Sequence, residues 1–551
     1  MLSSIKHINP AELDESGLRE ALVVLLNIVE QLSQGMEELR QRNQALEDEN
    51  NKLKGGNARP QITPSAQSSK DISSKGKEKG HRGGRRRMEE KVEVEIDREL
   101  VEKLDKTSLP SDSVFKGYRE YIQQDLLIKR DNKKYKFESY YSASMGRAYV
   151  AGWPPGVEEG HYGYGVRSLV NVLYHFGNMT EGSIEVLMKS LGIVISAGTV
   201  SNLLKREHSW AVEEQQGILQ AALAVNSPKQ MDATGNRQKG INKTTHIITG
   251  EFFSVFYTLD GKSRLDCLRA LQGNPTNGIY LMWQEHLQTA LHGKVAAADL
   301  AVVKSLMEEN REIKLADFDA LLKDRAPKLF AKSNAVAKLR DAMALTYYAA
   351  QQAFPRPTLL LSDNAPEYGK IALYHALCWV HDARYYNKLF PKIDLHEQKL
   401  NDFKSQYWNF YRQLLDFKEL PASEQAAQKI LLTARFDQLF DTQTKYGALD
   451  LEILRTKANK EELLRVLDFP DTPLHNNAAE LGARKIVRKR DISLHTWSDW
   501  GTQLRDAFLS IIETAKKLGI SVFHLILDRI SNNKQIPLLG NIILNRFTPT
   551  F

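Results

Sequence analysis

Pro357-Thr358-Leu359-Leu360-Leu361-Ser362-Asp363-Asn364-Ala365-Pro366-Glu367 is the stretch whose reading decides the fold. Its three leucines are consecutive rather than alternating, so the segment suits a strand buried on both faces, and the run stops at an aspartate followed by turn residues. A carboxylate at the carboxyl end of a buried strand stands where an open α/β sheet exposes its chemistry. Upstream, a short apolar approach after Pro228 ends in Asp232. Thr245-His246-Ile247-Ile248-Thr249, a Gly250-Glu251 turn and Phe252 to Thr258 follow, predicting three strands of which the last two form a hairpin. Downstream, Asn476-Asn477-Ala478-Ala479-Glu480 opens a helix that continues through Arg484, Ile486 and Val487. From Phe390 to Asp471 the pattern is amphipathic helix, as in Leu400 to Leu415 and Glu424 to Phe440, which predicts a helical insertion between a fifth strand and the glutamate helix. Its Tyr407, Trp408, Phe410 and Tyr411 are expected in a core. The expected class is multidomain α/β.

Asp232, Asp363 and Glu480 would suit a pair of hard divalent cations, which take oxygen ligands and clamp the attacking and leaving oxygens of an in-line phosphoryl displacement. Spacing alone does not choose them, since 68 acidic residues offer many triplets. Asp260 precedes Gly261 and reads first as a turn. Past Glu480, the cations Arg484, Lys485, Arg488, Lys489 and Arg490 recur near four-residue spacing, which suits contact with DNA or a solvated helix face.

The amino-terminal third differs in texture. Leucine recurs every seventh residue at Leu18, Leu25, Leu32, Leu39, Leu46 and Leu53, with Leu22, Val29, Met36, Asn43 and Asn50 at the positions between. That is a leucine zipper, and it predicts a homo-oligomer. Gly55 to Arg87 is rich in Gly, Ser, Pro and cations and is expected to be disordered when free, with Arg82, Arg85, Arg86 and Arg87 contacting phosphates regardless of sequence. A small β-rich module is expected next, from the alternation Val92 to Ile96 and the Tyr-rich segment 118–141. Between Gly182 and Glu207 the pattern fits a helix-turn-helix. A first helix covers Ser183 to Ser190, Ser196 caps the second, Thr199, Ser201 and Asn202 face a groove, and Lys205 and Arg206 lie at the far end.

Composition limits the alternatives. The net charge is +7 over 551 residues, and the segment from Lys54 to Lys91 holds eleven basic against four acidic residues, so the excess is local and points to a polyanion-binding segment. Two cysteines, Cys267 and Cys378, supply neither a disulfide framework nor a thiolate zinc site. No apolar run is long enough to span a bilayer and no signal peptide is evident, so a cytoplasmic protein without membrane partners is expected.

The blocks Met231-Asp232-Ala233-Thr234-Gly235, Leu361 to Gly369, Cys378-Trp379-Val380-His381-Asp382-Ala383-Arg384, and Asn476 to Glu480 with Arg484, in that order, resemble the motifs of the IS66 family of bacterial insertion-sequence transposases. Ile512 to Gly519 is similar to that family's ending. The resemblance covers roughly residues 160–530. It implies an RNase H-like catalytic domain in which Asp232, Asp363 and Glu480 form a DDE triad using two Mg²⁺ ions, or Mn²⁺; many members carry a cysteine-rich segment where residues 91–160 here have no cysteine, and with two cysteines in the chain no structural zinc is expected. It also implies double-stranded DNA as partner, both element ends and target, and two small accessory proteins. His381 and Arg384, within a matched block, are candidates for contact with the scissile phosphate. The expected organisation is a zipper over 1–54, a basic linker over 55–91, the β-rich module over 92–160 and the helix-turn-helix region over 161–226. The first part of the core spans 227–391, the helical insertion 392–470, the final core helices 471–530 and a tail 531–551. The expected activity is hydrolysis and strand transfer at element ends. A structure-selective nuclease on the same fold and a catalytically silent dimeric DNA-binding regulator remain as alternatives.

Overall fold

The computed structural model describes residues 16–53, 96–104, 113, 115–126, 128–155, 157, 159–274 and 278–547. The basic linker 55–91, with Arg82, Arg85, Arg86 and Arg87, and the alternation Val92 to Glu95 lie outside them. The chain divides into two units, Met1–Gln34 with Arg130–Phe551 and, separately, Gly35–Lys129. The described part of the second unit is the distal half of a long helix, α1 (Ser16–Leu53), and segments without helix or strand.

The larger unit continues with a hairpin, β1 (Ser139–Ser142) and β2 (Arg147–Val150), the described remnant of the expected β-rich module. Helix α2 (Tyr164–Asn171) runs into a π-helical turn, Val172–Phe176. Then come α3 (Glu181–Ser190), α4 (Ala197–Arg206) and α5 (His208–Ala224). Thr180 caps α3 and Ser196 caps α4, each side-chain oxygen accepting from the backbone N–H three residues on. The pair is therefore two short helices around a turn, with Ile184, Met188, Val200, Leu203 and Leu204 buried.

Strands β3 (Lys229–Gln238), β4 (Ile241–Thr249), β5 (Ser254–Leu259), β8 (Leu359–Ser362) and β9 (Tyr374–Leu377) make one sheet in the order β5-β4-β3-β8-β9. The pair β6 (Tyr280–Met282) and β7 (Glu312–Lys314) lies apart, among helices between Arg264 and Ala350. The first three sheet strands are an antiparallel meander, and β8 and β9 add in parallel. Lys239 and Gly240, with φ of 49° and 77°, form the two-residue turn between β3 and β4 that matches the right-handed twist of the strands. Leu359 to Leu361 are buried, as a strand covered on both faces requires.

After β9 come α6 (Trp379–Asn387), α7 (Asp394–Lys418), α8 (Ala422–Phe440) and α9 (Gly447–Ala458). These helices hold a core of their own, in which Tyr407, Phe410 and Tyr411 are buried and Trp408 packs at its margin. The Trp379 indole donates to the Leu463 carbonyl at 2.8 Å and its backbone N–H to Leu474 at 3.0 Å, which closes the base of the excursion. Helices α10 (Asn477–Ser493) and α11 (Asp499–Leu518) then return to the sheet. At the open edge of β5, the backbone N–H groups of Ser254, Phe256 and Thr258 donate to Thr514, Ser510 and Asp506 of α11 at 3.1, 3.0 and 2.6 Å. Within the segment expected as a tail, α12 (Leu539–Phe547) packs on α5, with Leu539 and Ile543 fully buried and the Leu539 N–H donating to Glu214 at 2.7 Å. Apolar residues at 539, 543 and 547 supply that face at helical spacing.

Within the larger unit, α1 meets the helical insertion through one face only. Leu26 and Glu30 are buried, Asn27 exchanges hydrogen bonds with the Lys445 carbonyl and the Gly447 N–H at 3.2 and 2.9 Å, and Glu30 accepts from the Lys392 N–H at 2.7 Å. Leu18, Leu25 and Leu32, on the part of α1 in this unit, are 55 to 63% exposed, and Leu39 and Leu46, on the part in the smaller unit, are 63 and 54% exposed. Polar substitution of Leu25, Leu32 and Leu39 should therefore leave the single chain's melting temperature unchanged. If the seam pairs two copies, it removes roughly 2–3 kcal/mol per leucine from the assembly. The expected result in sedimentation is a fall in mass to the monomer; an unchanged mass would remove the zipper.

Candidate catalytic site

The parallel strands β3 and β8 are registered Lys229 to Leu360 and Gln230 to Leu361, so two residues further on Asp232 stands beside Asp363 at the edge where β8 ends; Asp232 is the fourth residue of β3, which runs on to Gln238, and not the strand's end as expected. β9 ends at the same edge and delivers Cys378 and α6, which carries His381 and Arg384. Glu480 comes from the first turn of α10, which packs on β3 and β4. Asn476 sets the position of that turn. It is buried, its side-chain amide donates to the Met231 carbonyl at 2.8 Å, and its backbone N–H reaches Cys378 Sγ at 3.2 Å. One asparagine thus ties the glutamate helix to the residue before Asp232. Cys378 is the second half of the tie. Gly482 allows close approach, since a Cβ there would stand 2.8 Å from Ile247 Cγ2.

The carboxylates sense one another. Burial raises the Asp232 carboxyl from its ordinary 3.8 to about 6, the Ala233 N–H hydrogen bond opposes the rise, and the Asp363 and Glu480 charges add to it. They do not converge on a common point. Among the described residues no three His, Cys, Asp or Glu side chains group closely enough to hold an ion. Glu480 Oε1 instead accepts from Arg384 Nη2 at 2.8 Å and lies 3.2 Å from His381 Nε2. Three like charges in one place repel, and an arginine beside one of them takes up the field that a cation would. The donor chemistry fits a hard divalent cation, while the side-chain positions are those of an ion-paired arrangement.

Asp363 accepts from the Ala365 N–H at 3.2 Å, which fixes the turn after β8, and it lines a cleft with Asn364, His381, Arg384, Tyr385 and Lys388. Burial, then Arg384, lowers the His381 pKa, so its ring stays neutral at neutral pH. Ser362 and His375 Nε2, 2.8 Å apart, and buried Tyr368 stand behind the aspartates; Ser362 and Tyr368 fall within a matched block, and His375 within none.

Other sequence candidates fall elsewhere. Asp260 pairs with Lys243 and, at 3.5 Å, with Arg269. Of the cations after Glu480, Lys489 is buried, with its ammonium on the Tyr174 carbonyl at 2.7 Å, which corrects its placement on a DNA-facing surface. The helix turns it one hundred degrees from Arg488 and into the π-helical turn. Lys485 pairs with Glu513 at 3.5 Å, Arg490 donates to the Gly235 carbonyl at 2.8 Å, and Arg484 and Arg488 are exposed. On α4, the Thr199 hydroxyl lies 3.0 Å from Ser196 Oγ at the cap; Thr199 and Ser201 are half-buried, and Asn202, Lys205 and Arg206 are exposed.

The raised Asp232 carboxyl has a definite sign in stability. The folded chain takes up this proton more readily than the unfolded one, so the contribution is present below the ordinary value near 3.8 and is lost as pH rises to about 6. Asp232→Asn, melted in chelator, should match the parent at pH 4 and exceed its melting temperature at pH 8. Equal melting temperatures at pH 8 would show that the carboxylate is not under like-charge strain.

Two likenesses bear on what this site belongs to. The pattern described as the transposase IS66 family matches residues 294–504, which include Asp363, His381, Arg384 and Glu480 but not Asp232. A protein of Sinorhizobium fredii (strain NBRC 101917 / NGR234), named "Uncharacterized protein y4jO", is 32% identical over 318 residues, spanning 58% of this chain and 96% of its own length. No helix among the described residues is long and apolar enough to cross a membrane. With the mixed sheet and the returning helix in view, the chain belongs to the IS66 family of transposases.

Proposed function

We propose that this chain is a DNA transposase that hydrolyses phosphodiesters at the ends of an insertion sequence and joins the freed strand to target DNA on an RNase H-like core. The observation that carries the reading is the edge formed by β3 and β8, with Asp232 and Asp363 side by side and Glu480 tied to it through Asn476. Two Mg²⁺ ions held by Asp232, Asp363 and Glu480 would supply the positive charge that a phosphoryl displacement requires. The chain's own contribution is alignment. With Glu480 holding a cation, Arg384, now 2.8 Å from that carboxylate, would offer its guanidinium fork to a nonbridging phosphate oxygen. Neutral His381 beside it donates or accepts at the same group.

DNA ends are held by the two-helix unit α3–α4, through Ser201, Asn202, Lys205 and Arg206, and by the basic linker through Arg82, Arg85, Arg86 and Arg87. Arg484, Lys485, Arg488 and Arg490 extend the contact along α10. Two copies pair through the α1 leucines as a coiled coil, which brings two ends together; the element's two small proteins would join this assembly. The deciding experiment is a strand-transfer assay with duplexes taken from the DNA flanking the gene. Joined product supports transposition, cleavage without joining indicates a nuclease, and binding without cleavage indicates a DNA-binding regulator.

A further inference from the structure

At the far end of α10 from Glu480 the chain opens a cleft between α4, α10 and the turn 494–500. Lys205 of α4, Arg490 of α10, Trp497 and Trp500 line it, together with Glu181 of α3, whose carboxylate feels the Lys205 charge. Trp497 is 73% exposed, an unusual state for the largest apolar side chain, and its ring leans on His495 at 4.5 Å between centroids, leaving the other face bare. The backbone that presents it is strained. Leu494 holds φ 58° and ψ −68° with the His495 N–H donating to the Ser493 carbonyl at 2.7 Å, the rare γ-turn with positive φ. The Thr496 carbonyl accepts from the Lys239 N–H at 2.9 Å and Asp499 from Gln238 at 2.6 Å, so the turn is stitched to the end of β3, the strand of Asp232. In the wall, His175 Nε2 is buried without a hydrogen-bond partner among the described residues.

We propose that this cleft receives one unstacked nucleotide of the DNA, its base against Trp497 and its phosphate between Lys205 and Arg490. An aromatic face with cations at its rim is the pairing that holds unpaired bases without regard to sequence, and the cations argue against an apolar occupant. The proposal rests on the transposase reading only in taking DNA as the ligand. Arg490 follows Glu480 by ten residues, about 15 Å along a helix, or roughly four base-pair steps at about 3.4 Å each. The nucleotide would thus be drawn from the duplex a few steps from the bond to be cut, which anchors the register of the end.

The test uses the full chain and two labelled 20-base-pair duplexes, one fully paired and one carrying a single-thymidine bulge, titrated by fluorescence anisotropy. Stacking on one aromatic ring is worth about 1–3 kcal/mol, so the wild type should prefer the bulged duplex by about five-fold or more. Trp497→Ala should bring the two affinities within two-fold of each other, and Trp497→Phe should keep most of the preference. The exposure of Trp497 means that neither variant should lower the melting temperature. A wild type without preference, an alanine variant that keeps it, or equal weakening on both duplexes overturns the inference while leaving a DNA-binding transposase in place. Failure to bind either duplex overturns both.

Discussion

Replacing Asp232 or Asp363 by Asn, or Glu480 by Gln, is expected to bring both DNA cleavage and joining below detection while end DNA is still bound. The amide keeps the shape and removes the anion, and a divalent ion stripped of one anionic ligand is neither held nor aligned. Glu480→Gln separates two roles of that carboxylate, since it also releases Arg384, now 2.8 Å away. The freed cation should strengthen DNA binding slightly, whereas loss of the ion should abolish chemistry. In the absence of DNA, Mg²⁺ or Mn²⁺ should raise the melting temperature of the parent and not of Asp363→Asn, as binding to the folded state alone requires. Full joining activity in Glu480→Gln would sink the mechanism.

The second large effect is expected at Asn476. Asn476→Ala removes a buried donor and leaves the Met231 carbonyl unmatched, a loss of about 1–3 kcal/mol. Asn476→Asp keeps the volume and sets a carboxyl against that carbonyl. A protonated acid can still donate, so this variant should approach the parent near pH 4 and fall increasingly below it as pH rises through the carboxyl range. Activity should fall with it, because the strand of Asp232 and the helix of Glu480 then lose the hydrogen bond nearest the two carboxylates and keep only packing and the distant Arg490 bond to the Gly235 carbonyl. Thermal melts across pH decide the matter; a pH-independent difference would mean that the side chain only fills space.

The parts of the fold that could be read from sequence are those whose cause is local. Leu359 to Ser362 had to be buried on both faces, Ser196 announces a cap, and the heptads of α1 are visible without a structure. Asp232, Asp363 and Glu480 were singled out by ordered motifs, and the β3–β8 register explains two of them. What remained hidden depends on partners distant in sequence. Lys489 looks like its cationic neighbours until the Tyr174 carbonyl, 315 residues away, claims it. A fifth strand was expected but without bounds, because β9 opens on an exposed Tyr374 and has only four residues, too few for a periodicity. Asn476 stood inside a quoted block, but nothing in its neighbours says that its amide serves another strand. α12 was read as a tail because its apolar face matches α5, far upstream.

The side chains that α11 lends to β5 form a vernier. Residues 506, 510 and 514 advance by four along a helix, about 6.0 Å per step at 1.5 Å a residue, while residues 258, 256 and 254 advance by two along a strand, about 6.8 Å per step. The two scales drift by about 0.8 Å at each rung, so a fourth rung would be displaced by over 2 Å and could not bond. A helix can therefore blunt a strand edge for only about six residues, and β5 is six residues long. Lengthening it by a pair of residues would bare an N–H group to which no side chain of α11 could reach, an open place for another chain's strand to add.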